Sequence, residues 1–167
     1  GLIRIADLII EDVTELYFQD FLTHIDVRDY CALGDGTTDD RAAFIAADAA
    51  SLGREILVPS GSYFIGRSLT LHAPVSFEGT LRMEGRSVLS LTKQFDLPTY
   101  IRAFGEEELG FVKAFQSLLS DSDHESLDMA GRRVTINGPL DMARRSGRNR
   151  FAQRRVIRNG QLYAAGD

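Results

Sequence analysis

Between residues 55 and 92 the chain is a succession of apolar runs too short to be helices: Glu-Ile-Leu-Val-Pro, Tyr-Phe-Ile-Gly, Leu-Thr-Leu-His, Val-Ser-Phe-Glu-Gly, Thr-Leu-Arg-Met and Val-Leu-Ser-Leu-Thr. They are rich in β-branched and aromatic residues, and Pro-Ser-Gly, His-Ala-Pro, Glu-Gly and Met-Glu-Gly-Arg separate them. This pattern predicts strand, turn and strand in repetition. Hairpins would call for two-residue turns of the Asn-Gly type and longer alternating arms. Short strands at close, irregular spacing fit a chain that turns corners, as in a β-solenoid.

Two stretches depart from this rhythm. Over 39–51, Ala42, Ile45, Ala46 and Ala49 fall at helical spacing, with Phe44 and Ala47 widening the stripe and Gly53 placed to end the helix. Over 105–119, Glu106 to Glu108 occupy a first turn where the helix dipole favours acids, and Leu109, Val112, Phe115, Leu118 and Leu119 form one apolar face. Leu-Gly-Arg-Glu-Ile-Leu-Val-Pro and Ala-Gly-Arg-Arg-Val-Thr-Ile-Asn-Gly-Pro align at Gly53 and Gly131, so two helix-plus-strand units are expected to share one plan. A strand is expected near 2–10, a short helix or strand to 22, and a short strand in His-Ile-Asp-Val-Arg-Asp-Tyr. A last strand run is expected at the C-terminus, with a turn at Asn159-Gly160.

A chain of 167 residues, 44% hydrophobic, supports one core. Its apolar runs are too short to span a bilayer, so no membrane partner is expected. The start at Gly1 and the stop after Tyr-Ala-Ala-Gly-Asp suggest a segment of something longer. Cys31 is the only cysteine and is read as a buried small hydrophobe. Residues 132–158 carry nine arginines against one acid, Asp141. That patch suits a subunit contact or solvation first and an anionic glycan second. Nucleic acid comes last, because stacking aromatics are nearly absent there.

Gly34-Asp35-Gly36-Thr37-Thr38-Asp39-Asp40 could bind or build. As a calcium loop starting at Asp35 it places Ala46 where a bidentate glutamate is required, and as a phosphate loop it has no lysine. The structural reading makes Thr38 the N-cap, puts Asp39 and Asp40 at the positive end of the helix, and uses Gly34 and Gly36 for left-handed turns. Glu78 with Glu84 is a conceivable carboxylate pair, though a solvated face explains both residues equally. Asp123-His124-Glu125 reads as helix termination rather than a metal site, since His24 and His72 have no evident reason to converge on it. No catalytic, metal-ligating or substrate-binding residue is assigned, and no cofactor is expected.

The forty residues from Val27 to Gly66 resemble the entry segment of the pectate-lyase-like right-handed parallel β-helix domains of phage tailspikes, spike fibres and capsule depolymerases. The resemblance rests on Asp29-Tyr30-Cys31-Ala32, on the box with Gly34, Asp35, Gly36, Thr38, Asp39 and Asp40, on the alanine-rich helix, and on Pro59, Gly61 and Tyr63 of the Val-Pro-Ser-Gly-Ser-Tyr turn. Cys31 stands where that family usually has glycine, which suggests that the position does not need positive φ here. The resemblance implies a mostly β fold with two helices: the start of a right-handed parallel β-helix with an N-terminal capping helix. Residues 1–24 would be a docking or oligomerisation leader. Residues 25–167 would hold the cap and first rungs, with a helical insertion near 98–125. It further implies a homotrimeric spike or fibre subunit of a virion or virus-like particle. Such a subunit would contact other particle proteins through residues 1–24 and a host capsular or lipopolysaccharide glycan elsewhere. The alternatives are a polysaccharide lyase or glycoside hydrolase, and a secreted or cell-surface protein.

Overall fold

The computed structural model describes residues 24–120, 123–141 and 154–165. The expected leader and most of the arginine-rich stretch lie outside these residues.

Alternation of side chains builds the first layer. In β3 (Glu55–Val58), β4 (Ser62–Ile65), β5 (Leu69–Leu71), β6 (Val75–Phe77), β7 (Thr80–Met83) and β8 (Leu89–Leu91), Ile56, Val58, Tyr63, Ile65, Leu69, Leu71, Val75, Phe77, Leu81, Leu89 and Leu91 point inward and are buried. With β1 (His24–Asp26) and β2 (Asp35–Asp39) they form three parallel sheets, ordered β1-β3-β6, β2-β4-β7 and β5-β8. The register stacks like on like: Ile25 on Ile56 on Val75, Tyr63 on Leu81, Leu69 on Leu89 and Leu71 on Leu91. Each such aliphatic contributes roughly 1.5–3 kcal/mol by leaving water.

Helices cover the strands. A 3-10 turn (Val27–Tyr30) and α1 (Arg41–Ser51) pack on β1, β3 and β5, with Phe44 meeting Tyr63 edge to face at 5.6 Å. Asp96 caps α2 (Leu97–Phe104) by accepting the Thr99 amide at 2.9 Å, and Gly105, at φ 73°, ends it. Next comes α3 (Glu107–Ser120), which crosses α2 so tightly that a Cβ on Gly110 would lie 2.9 Å from the Ile101 backbone. The pair packs over β6, β7 and β8, and α3 also reaches β9 (Ser126–Asp128) and β10 (Arg133–Ile136). The buried Lys113 ammonium donates to the carbonyls of Glu84 at 2.6 Å and Ser87 at 2.8 Å, fastening the turn between β7 and β8. Two further parallel pairs, β9 with β11 (Val156–Arg158) and β10 with β12 (Gln161–Ala164), complete the described chain.

The expected fold class is corrected by this arrangement. The described residues form a mixed α/β structure of three α-helices and twelve short strands in five small sheets. They do not form a mostly β solenoid. Among the described residues no ladder joins the sheets before α2 to those after α3, and one bridge, Asp96 to Asp128, links the two groups. The physical reason is that α2 and α3 pack where further strands would have continued β6, β7 and β8. The stretch expected as one helix over 105–119 holds α3, with α2 immediately before it.

Local corrections accompany the global one. Cys31 is exposed and left-handed at φ 72°, so the position does take positive φ despite its side chain. Leu52, at φ 51°, caps α1 one residue before Gly53. Ala130-Gly131 repeats the paired left-handed geometry of Leu52-Gly53, but it follows strand β9 rather than a helix. On α1 the inward residues are Ala43, Phe44, Ala47 and Ser51, while Ala42, Ile45, Ala46 and Ala49 face out.

Candidate functional site

The Gly-Asp-Gly-Thr-Thr-Asp-Asp box is a clasp in which each carboxylate holds backbone amides. Asp35 accepts the amides of Thr37 and Thr38 and the Thr38 hydroxyl, all at 2.8 Å. The Thr38 amide is the main reason that its carboxyl sits well below the usual carboxylate range. Asp39 accepts Gly66 N–H at 3.0 Å and Arg41 N–H at 3.1 Å, and the Gly66 bond is the main cause of its lowered pKa. The buried Asp40 reaches backwards, accepting Leu33 N–H at 2.7 Å and Gly34 N–H at 3.1 Å.

The remaining residues of the resemblance complete the clasp. Gly34, at φ 64°, lies on the Tyr63 ring, and its carbonyl accepts Ser62 N–H at 3.0 Å. Gly61 leaves room for Gly34 O and for the same ring. The Tyr63 hydroxyl donates to Pro59 O at 3.0 Å, and burial raises the pKa of the phenol. Gly36, at φ 79°, carries the turn past Ser62. In the 3-10 turn, Asp29 is exposed and Tyr30 packs at the margin of the core. The expected helix cap is therefore corrected. Thr38 lies in β2 and bonds to Asp35, Asp40 occupies the N-cap position without a side-chain cap bond, and no acid stands in the first turn of α1. The Gly66 and Leu33 amides share these carboxylates with the helix, whose first amide, on Arg41, bonds to Asp39.

A second constellation lies on the flank. One cleft of about 160 Å³ is lined by Thr70, His72, Ser90, Thr92, Asp123 and His124, among others. A neighbour of about 380 Å³ includes Lys93, Asp96, His124, Glu125, Asp128 and Arg158 in its lining. His124 separates them. Its ring stacks on Phe95 at 4.7 Å and 12°, and its Nε2 lies 3.1 Å from Leu91 O. His72 is held from α1, where Asp48 accepts the amides of His72 and Ala73 at 2.9 Å each and pairs with His72 Nδ1 at 2.8 Å. Asp128 pairs with Arg158 at 3.1 Å and accepts Ala130 N–H at 2.8 Å, the main cause of its lowered pKa.

Hydroxyls, imidazoles, carboxylates and cations thus alternate along the two clefts, a mixture suited to a hydroxyl-rich ligand. Asp96 and Asp128, paired across a parallel bridge in the second cleft, hold a helix cap and an ion pair respectively. His72 and His124, which sequence spacing gave no reason to bring together, line one cleft. Glu78 follows β6 and Glu84 follows β7, so they stand at opposite ends of β7, and neither lines these clefts. Among the described residues, no group of three or more His, Cys, Asp and Glu side chains could hold a metal ion, and no helix is long and apolar enough to cross a membrane. Comparison with protein-family models, with curated proteins and with solved structures gives no match.

Proposed function

We propose that this chain is a structural subunit of a phage or phage-like particle spike or fibre. In this reading its box organises the entry to the folded module, residues 1–24 attach it to other particle proteins, and three copies assemble. The clefts on either side of His124 face a host cell-surface polysaccharide. The observation that carries the reading is the engagement of Asp35, Asp39 and Asp40 by backbone amides: the most distinctive stretch of the sequence builds the fold. The resemblance of residues 27–66 to tailspike entry segments supplies the biological setting, and the mixed polar lining of the clefts is compatible with a glycan.

The test uses the full chain with capsular and lipopolysaccharide preparations. Binding without release of reducing ends or unsaturated products, by a chain that scatters light as a trimer, is the expected result. Cleavage of either polysaccharide would move the assignment to a lyase or hydrolase. A monomer that binds neither preparation would overturn it.

A further inference from the structure

His72 is exposed, yet its ring is fixed. The Asp48 side chain reaches from α1 to the end of β5, where one oxygen accepts the amides of His72 and Ala73 at 2.9 Å each and the other lies 2.8 Å from His72 Nδ1. A carboxylate can only accept, so in the neutral ring Nδ1 carries the hydrogen and Nε2 keeps its lone pair. The His72 side chain is 73% exposed and that of Asp48 10%, so the orienting group is shielded while the ring it orients is open to a ligand.

Strand register supplies the surroundings. Thr70 stands beside Ser90 across the β5–β8 ladder, and one step further the Thr92 hydroxyl donates to His72 O at 3.1 Å, which leaves its oxygen able to accept. His124, on the same cleft, is held by its stack on Phe95 and by donating from Nε2 to Leu91 O. No lysine or arginine is among the described residues that line this cleft, and its one carboxylate is Asp123. Arg155 donates to the His124 carbonyl and is not in the lining. In the neighbouring cleft Lys93 and Arg158 are outnumbered by Asp96, Glu125 and Asp128. A carboxylate or phosphate on a ligand would therefore meet Asp123 with no cation of the lining to neutralise it, whereas hydroxyls can donate to His72 Nε2, Thr92 Oγ1 and Asp123. We propose that the cleft between His72 and His124 selects an uncharged, polyhydroxylated sugar unit, with His72 Nε2 accepting one of its hydroxyls and Asp48 holding the ring in that role. The inference rests on the reading of these clefts as the glycan-facing surface.

Titrations of the full chain with capsular and lipopolysaccharide preparations test this, each preparation used before and after carboxyl reduction and dephosphorylation. Binding should survive both treatments unchanged. His72→Ala should weaken it about 5- to 10-fold, the loss of one hydrogen bond. Asp48→Asn gives the finer test, because its amide oxygen can still accept the two backbone amides while its NH2 group donates to Nδ1 and moves the ring hydrogen to Nε2. Imidazole nitrogen chemical shifts should report Nδ1–H in the parent and Nε2–H in the variant, with binding weakened as in His72→Ala. Binding abolished by carboxyl reduction or dephosphorylation would overturn the uncharged ligand and leave the glycan reading standing. Parent-like binding by His72→Ala, or by an Asp48→Asn chain whose ring hydrogen has moved, would overturn the role of His72. A ring still protonated at Nδ1 in Asp48→Asn would overturn that of Asp48. A parent chain that binds no untreated preparation would overturn the glycan reading and this inference with it.

Discussion

The Tyr63 ring lies so close under Gly34 that a Cβ on residue 34 would stand 2.9 Å from both Cε1 and Cζ. The same glycine has φ 64°, where an L side chain is strained. Backbone strain and overpacking act together, so Gly34→Ala is expected to cost about 2–4 kcal/mol. Tyr63→Phe, which keeps the ring and removes the hydroxyl that donates to Pro59 O, should cost about 0.5–1.5 kcal/mol. Denaturant titrations of the two variants check the order.

Asp40 and Thr38 should differ in the opposite sense from a helix-cap reading. Asp40→Ala strips the partner from the Leu33 and Gly34 amides at a buried position and should cost about 2–4 kcal/mol. Thr38→Ala removes one exposed hydroxyl bond to Asp35 and should stay within about 0.5 kcal/mol. Unfolding midpoints measured side by side decide it, and a larger effect at Thr38 would restore the cap.

Acid should loosen the clasp in a defined window. Asp35, Asp39 and Asp128 all have folded pKa values below the 3.8 of a free aspartate, so the native state holds their protons more weakly than the unfolded chain does. Their contribution to stability is present above about pH 4 and is lost as pH falls through the folded values. Thermal midpoints recorded down to pH 2 should drop in that range, and Asp39→Asn should make the drop shallower.

Removing the buried ammonium should act locally. Lys113→Met leaves the Glu84 and Ser87 carbonyls without that donor, at an expected cost of about 1–3 kcal/mol. Amide exchange at residues 84–88 should accelerate more than in β3 or β4. Uniform acceleration would mean that the lysine supports the whole core instead.

Much of this was legible where chemistry is local. The strands follow the aliphatic pairs of Ile56 with Val58 and Leu69 with Leu71, and Glu107 and Glu108 stand in the first turn of α3. Legibility failed on α1 because its sequence is apolar all round. Helical periodicity selected Ala42, Ile45, Ala46 and Ala49, while the bulk of Phe44 decided which side turned to the core. It failed again at Asp39 and Asp40, whose partners Gly66 and Leu33 become neighbours only after the chain has folded back. The meeting of His72 with His124 belongs to the same class, since residues 52 positions apart share no pattern that one sequence displays. The fold class failed because the run of short strands gave no sign that α2 and α3 would close over β6 to β8.

Every ladder among the described residues joins a strand to one only two or three strands further along, from β1 with β3 to β10 with β12. No strand waits for a partner from the distant end of the polypeptide, so the loop that must close for each pairing is short. A nascent chain can therefore settle in the order in which it leaves the ribosome. By the time Leu91 has emerged, β1 to β8 have every ladder partner they take among the described residues, and the open edges of β6, β7 and β8 wait only for α2 and α3, the next elements of the chain.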